Sequence, residues 1–316
     1  MSSINRRDLL SLAALTAAGL ALGPVARSFG ADDKKKILFF TRSAGFPHPV
    51  VTRKNGEEFA FAERTFRDFA GNEYEVTISK DGSLFTPEKL AAFDAIAFYT
   101  TGDETKTGPD KTPPMPAGGK EALLKFVEDG KGFIGFHCAS DTFHSPNYEG
   151  KKEIARQMLM QRGSDQFEDV RDPYIKMVGG EFITHQSQQK ATQKVIDPKF
   201  PGLEGLEDFN FAEEWYSLGN FSDDLHVVLA QDTDSMKAKG EKAYQRASYP
   251  STWAKPYGKG RVFYTNMGHR EDVWTNPIFQ KVVLAGLGFI TGRTNPDIAP
   301  NIKTATPEVV TFAAAK

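Results

Sequence analysis

His48, His137, His185 and His269 each stand at or a few residues past the end of a short apolar run in this 316-residue chain. A neutral imidazole is both a general base and a ligand for borderline divalent metals, so four such placements point to one polar site. His137 ends Gly132-Phe133-Ile134-Gly135-Phe136 and is followed by Cys138, Ser140 and Asp141. Glu213-Glu214-Trp215-Tyr216 sets two acids directly before two large aromatics, a general acid or base beside rings that stack on sugar faces. Four loop histidines with Glu213 or Glu214 are chemically sufficient for Zn²⁺ or a similar ion. There is no fixed-spacing zinc motif, so the ligands meet only if the fold brings them together. Each also has a plainer reading: a satisfied core imidazole for His137, a surface loop for His48, a solvated turn for the acidic pair. His144 and His226 lack the strand-end placement and read as structural or exposed. Cys138 invites a nucleophile reading, but no base can be assigned to it, and a buried small residue is the simpler state.

The elements that must position these groups alternate. Ile37-Leu38-Phe39-Phe40 is continuously apolar, as a strand buried on both faces is, and a helix with Phe59, Ala62, Phe66 and Phe69 at helical spacing follows. Strands over Tyr74–Ser79 and Asp94–Tyr99 flank a short helix opening at Thr86-Pro87, and a Gly- and Pro-rich loop over 101–119 leads into a helix from Gly119 to Asp129. Gly132 to His137 is the fourth strand, and a helix with Ile154, Met158 and Leu159 comes next. This predicts an α/β fold, a doubly wound and mainly parallel sheet. In the second half, Tyr174–His185, Lys190–Ile196, His226–Gln231, Ala247–Trp253 and Arg261–Asn266 read as strands of an antiparallel extension, closed by a helix over Pro277–Thr291. Residues 294–316 read as a trailing tail. In open α/β sheets ligands sit outside the carboxyl ends of the strands, and all four histidines follow strand-like runs.

Composition narrows the partners. The chain is 40% hydrophobic and 25% charged with a net charge of −2, which gives no basis for a nucleic-acid or anionic-membrane partner. Arg6-Arg7 before the Ala-, Leu- and Gly-rich run Leu9–Ala26 is the layout of a twin-arginine export signal over residues 1–30, and predicts a periplasmic protein with no membrane contact once the signal is removed. An uncleaved membrane helix is the alternative, though the run is broken by Ser11, Thr16 and Gly19. A single cysteine excludes an intramolecular disulfide.

Taken in order, Gly45-Phe46-Pro47-His48, Gly132 to His137, Val178-Gly179-Gly180-Glu181-Phe182-Ile183-Thr184-His185, the acids before Tyr216, and Gly260 to His269 resemble the ThuA-like family. That family, named for trehalose utilisation, shares the fold of class I glutamine amidotransferases, a flavodoxin-like architecture, and the resemblance spans roughly residues 35–292 of a domain expected over 31–293. Two departures stand out: Gln186 where many relatives have Pro, and Glu213-Glu214 where an Asp-Glu pair is common, so that Glu214 is the acid that matches. In the amidotransferases a Gly-x-Cys-x-Gly elbow presents a thiolate. Here Gly135-Phe136-His137-Cys138-Ala139 puts His at that place and Cys one residue later, so Cys138 should point elsewhere and glutamine hydrolysis is not expected.

The resemblance implies carbohydrate metabolism, with oxidised sugars such as 3-keto-glycosides as substrates. The expected protein is a metal-assisted enzyme that isomerises, eliminates or hydrolyses a keto-sugar or glycoside. His137 or Glu214 would act as base, His48, His137, His185 and His269 as metal ligands, and Arg42, Asp141, Trp215, Tyr216 and Arg270 as substrate contacts. A divalent metal is the expected cofactor, and no nucleotide cofactor is expected. The alternative is a periplasmic carbohydrate-binding or accessory protein without turnover.

Overall fold

The computed structural model of the chain describes residues 34–54, 56–146, 169–237, 240–309 and 311–314. The expected export signal and the helix expected around Ile154, Met158 and Leu159 lie outside the described residues. Among those residues no helix is long and apolar enough to cross a membrane.

The strands are β1 (Lys35–Phe40), β2 (Tyr74–Ser79), β3 (Ala95–Phe98), β4 (Gly132–Phe136), β5 (Glu181–Thr184), β6 (Gln189–Val195), β7 (Phe209–Glu213), β8 (Ser217–Gly219), β9 (Phe221–Ser222), β10 (His226–Asp232), β11 (Tyr249–Tyr257), β12 (Gly260–Thr265) and β13 (Thr311–Phe312). A nine-stranded sheet runs in the order β2-β1-β3-β4-β12-β11-β10-β6-β7. Neighbours from β2 to β12 are parallel, and each pairing from β12 to β7 is antiparallel. The predicted parallel sheet with an antiparallel extension is therefore the observed architecture. One consequence is directional: with an even number of reversals between them, β12 and β7 point the same way, and their carboxyl ends face the same edge as those of β1 and β4.

Helices cover both faces, as the double burial of the central strands requires. Along β4, side chains alternate. Phe136 packs against Phe279 of the closing helix Pro277–Ile290, while Phe133 meets Tyr174 of the helix Pro173–Val178. The closing helix sits so near β12 that a Cβ on Gly286 would lie 2.6 Å from the Phe263 ring. Any side chain there would lift the helix from the sheet.

Two expectations fail here. The segment read as a strand from Tyr174 to His185 is a helix over Pro173–Val178 followed by the short β5, which pairs with β8 outside the main sheet. Its local chemistry explains this: the Asp172 carboxylate caps the Tyr174 N–H, Pro173 occupies the first turn, and Gly179 ends the helix at φ 94°. The other is the tail beyond residue 293, which is docked. Asn301 accepts from the Val227 N–H at 2.6 Å and donates to the Val227 carbonyl at 3.1 Å, Ile302 is buried, and β13 pairs with β9.

Candidate metal centre at the carboxyl edge of the sheet

Four side chains from four separate strand ends converge. His48, His137, Glu214 and His269 each offer one ligand atom, and these atoms all lie within 4.8 Å of one another. His137 Nε2 is 3.3 Å from His269 Nδ1 and 3.5 Å from Glu214 Oε2, which is 3.1 Å from His269 Nδ1. Ligands on a tetrahedral ion with bonds of roughly 2.1 Å stand about 3.4 Å apart, so the spacing suits such an ion.

The three histidines of the cluster are held from behind. His137 is the first residue of a 3₁₀ turn (His137–Asp141) and takes φ 40°, a left-handed conformation rare for a residue with a Cβ. Its carbonyl accepts the Tyr264 hydroxyl at 2.7 Å, which fixes the elbow. Its Nδ1 faces the Asn266 carbonyl at 3.2 Å. A carbonyl only accepts, so Nδ1 carries the proton and Nε2 presents its lone pair to the cluster. His48 follows the loop after β1, and its carbonyl accepts from the Val51 N–H and the Thr52 hydroxyl. Its Nε2 lies 3.3 Å from the Tyr216 hydroxyl, while its buried Nδ1 has no hydrogen-bond partner. The loop carrying His269 is fastened to β7 by Glu213, whose carboxylate accepts the N–H groups of Gly268 at 2.8 Å, His269 at 3.0 Å and Glu214 at 2.8 Å.

The electrostatics match a cation. Burial pushes the His137 imidazole down to about 4, and burial with the neighbouring His137 and His269 holds His48 well below the ordinary range. Burial opposes ionisation of Glu214, but hydrogen bonds and charge from His137 and His269 win and hold its carboxyl far below the usual range. Glu213, by contrast, is raised to about 7 by its burial. The donor set of three imidazoles and a carboxylate, with the orphaned His48 nitrogen, fits Zn²⁺ or a similar ion.

The sequence-expected residues fall in three places. His48, His137, His269 and Glu214 form the cluster, with Glu214 where His185 had been expected among the ligands. His185 stands outside it, its side chain 44% exposed and its Nδ1 3.4 Å from Glu214 Oε1. Tyr216 belongs to the site, its ring centroid 4.0 Å from that of His137.

The other expected substrate contacts are engaged elsewhere. Arg42 is fully buried and ion-paired with Glu104 at 2.7 Å. Trp215 is fully buried, stacked on Phe211 and donating to the Gln189 carbonyl. Arg270 pairs with Asp272 and donates to Gln188. Asp141 accepts from His144 Nε2 at 2.5 Å, and His144 Nδ1 is 3.2 Å from the buried Glu181. Cys138 is fully buried, and burial pushes its thiol well above the ordinary range.

Sequence reasoning missed the second layer: Glu213 as loop anchor, and Asn266, which donates to the Tyr216 carbonyl at 2.9 Å as well as receiving His137. The Thr265-Asn266-Met267 run was the available signal for Asn266, since a polar side chain between buried neighbours needs a partner.

A mainly parallel α/β sheet with an antiparallel extension, bearing a His₃Glu cluster at its carboxyl edge, defines the class. The chain belongs to the ThuA family, described as trehalose utilisation, which it matches over residues 36–155 and 158–290. Among solved structures, a protein described as ThuA-like from Bacteroides uniformis ATCC 8492 is 20% identical, with a TM-score of 0.58 over 85% of this chain and 95% of that one. Another from Parabacteroides merdae ATCC 43184 is 16% identical, with a TM-score of 0.51 over 89% of this chain and 98% of that one. At these identities the likeness is one of fold. No curated protein matches significantly.

Proposed function

We propose that the chain is a metal-assisted enzyme acting on a keto-sugar or glycoside, exported to the periplasm, with His48, His137, His269 and Glu214 as the ligands. The convergence of those four side chains from four strand ends is the observation that carries the proposal. Family membership supports the carbohydrate class. The chemistry such a cation supplies is polarisation of a sugar carbonyl or hydroxyl oxygen.

The chain's own residues do the rest. His137 and His48 stay neutral at physiological pH because protonation is suppressed by burial, so neither must lose a proton to become a ligand. Glu214 stays ionised and faces His185 with its other oxygen. His185 Nδ1 lies between two acceptors, Glu214 Oε1 and the Gln186 carbonyl at 3.2 Å, so it carries the ring proton and leaves Nε2 basic. His185 is the group placed to take a proton from a sugar carbon next to the ketone, with Glu214 stabilising the imidazolium that results. Return of that proton from His185 to the neighbouring carbon of the enediol would complete isomerisation, and its transfer to the departing glycosidic oxygen as the C–O bond breaks would complete elimination.

Elemental analysis of the purified protein, followed by incubation with 3-keto-trehalose, tests the reading. Stoichiometric metal, turnover in the parent and loss of both in His137→Ala are expected. A metal-free protein whose turnover survives His137→Ala would overturn it, and tight sugar binding without product under any divalent metal would make it an accessory binding protein instead.

A further inference from the structure

The two rings that the sequence offers for stacking on a sugar are hidden: Trp215 is fully buried and Tyr216 is 3% exposed. A different ring is held out beside the cluster. Phe46 is 62% exposed, the most exposed large hydrophobic among the described residues, and its ring meets that of the ligand His48 edge-on with centroids 5.1 Å apart. A single exposed apolar side chain is ordinary on a floppy loop tip. This loop is not one.

The Thr101 carbonyl accepts the N–H groups of Ala44 at 2.9 Å and Gly45 at 2.8 Å, and the Thr101 hydroxyl donates to the Phe46 carbonyl at 2.8 Å. Gly45 and Gly102 let the two loops touch: a Cβ on Gly102, itself at φ 80°, would lie 2.7 Å from the Gly45 nitrogen. Pro47 fixes the next φ, and His48 is tied to Val51 and Thr52. Phe46 is therefore held in water by a stem bonded on both sides, two residues from the buried His48.

We infer that Phe46 is the sugar-stacking platform of the site, packing its ring against the C–H face of a pyranose whose oxygens reach the cluster, and so determines specificity. Aromatic faces pack on the axial C–H groups of a pyranose while leaving its hydroxyls free to bond elsewhere, which suits a ligand that must also present an oxygen to His48, His137 and His269. The inference takes its ligand class from the carbohydrate reading above. It is independent of the reaction.

The test uses trehalose as the probe, titrated by calorimetry into the parent, Phe46→Ala and Phe46→Trp, with Zn²⁺ titrated separately. Phe46→Ala is expected to weaken trehalose binding roughly tenfold while leaving Zn²⁺ binding and thermal stability unchanged. Phe46→Trp is expected to restore affinity. The protein's three tryptophans are all buried, so the added indole is the exposed fluorophore and its emission should shift to the blue as sugar covers it. Parental trehalose affinity in Phe46→Ala overturns the inference. So does a parent that binds Zn²⁺ but not trehalose, and in that case the metal centre still stands. A parent that binds no Zn²⁺ defeats the proposed chemistry, whereas a tenfold loss of trehalose affinity in Phe46→Ala would still uphold the platform. If sedimentation shows that Phe46→Ala only changes the oligomeric state, Phe46 is a contact between copies and the platform is excluded.

Discussion

Glu213 Oε2 accepts the backbone N–H of His269 at 3.0 Å, so the strand end that carries Glu214 is fastened to the loop that carries His269. Two ligands that share no strand pairing are thereby held in register by one buried carboxylate.

Removing that anchor should be felt twice. Glu213→Ala leaves one buried and two part-buried N–H groups without their acceptor and is expected to lower the unfolding free energy by about 1–3 kcal/mol in urea titrations. It should also weaken Zn²⁺ binding, because His269 is no longer held toward Glu214. Glu213→Gln keeps one acceptor oxygen and should fall between the two. An unchanged urea midpoint in the alanine variant would remove the anchor from the account.

His137 tests the elbow's backbone. At φ 40° asparagine is tolerated and a β-branched residue is not. His137→Asn should fold with no metal affinity, whereas His137→Val should be less stable than His137→Asn by roughly 1–3 kcal/mol. Equal melting temperatures for the two would show that the turn relaxes freely.

Cys138 gives a direct check on whether amidotransferase chemistry survives here. It is the chain's one cysteine, fully buried, with its thiol held protonated by burial. Native protein should not react with Ellman's reagent until denaturant is added, and Cys138→Ala should keep metal binding intact. Rapid labelling of the folded protein would contradict the buried geometry.

His144 sets the alkaline limb of stability. Burial disfavours its charge, but hydrogen bonds and charge from Asp141 and Glu181 overcome this and raise it to about 9. A base raised in the folded state contributes stability that is fully present below its unfolded value near 6.5 and is lost as pH climbs through about 9. Unfolding free energy should therefore decline over that window by on the order of 3 kcal/mol. His144→Gln should flatten the decline, and an identical slope in the variant would assign it to other groups.

How much of this was legible depends on where each cause lies. The runs at Ile37–Phe40 and Gly132–Phe136 announce buried strands because both faces are covered by helices, and the histidines beyond them are in the cluster. The choice of Glu214 over Glu213 also agrees with the geometry. What failed depends on distance. Trp215 looked available because the Gln189 carbonyl that accepts its indole N–H lies 26 residues back, and Arg42 looked free because Glu104 lies 62 residues on. The helix at Pro173–Val178 is a different case. Its Asp-Pro start and Gly stop were present, but its apolar residues suggested a strand. The docked tail is a third case, held by an asparagine side chain imitating a strand neighbour of Val227, by buried Ile302 and by the pairing of β13 with β9.

The members of the cluster run from residue 48 to residue 269, following strands from the first to the last of the main sheet in chain order. No fragment ending before β12 contains the site, and a chain still being synthesised lacks it until nearly the whole sheet has been made. Contacts this distant form late in folding. A cation taken there would act as a seal on the finished protein and not as a seed for its folding, and metal content would report how much of a preparation has folded to completion.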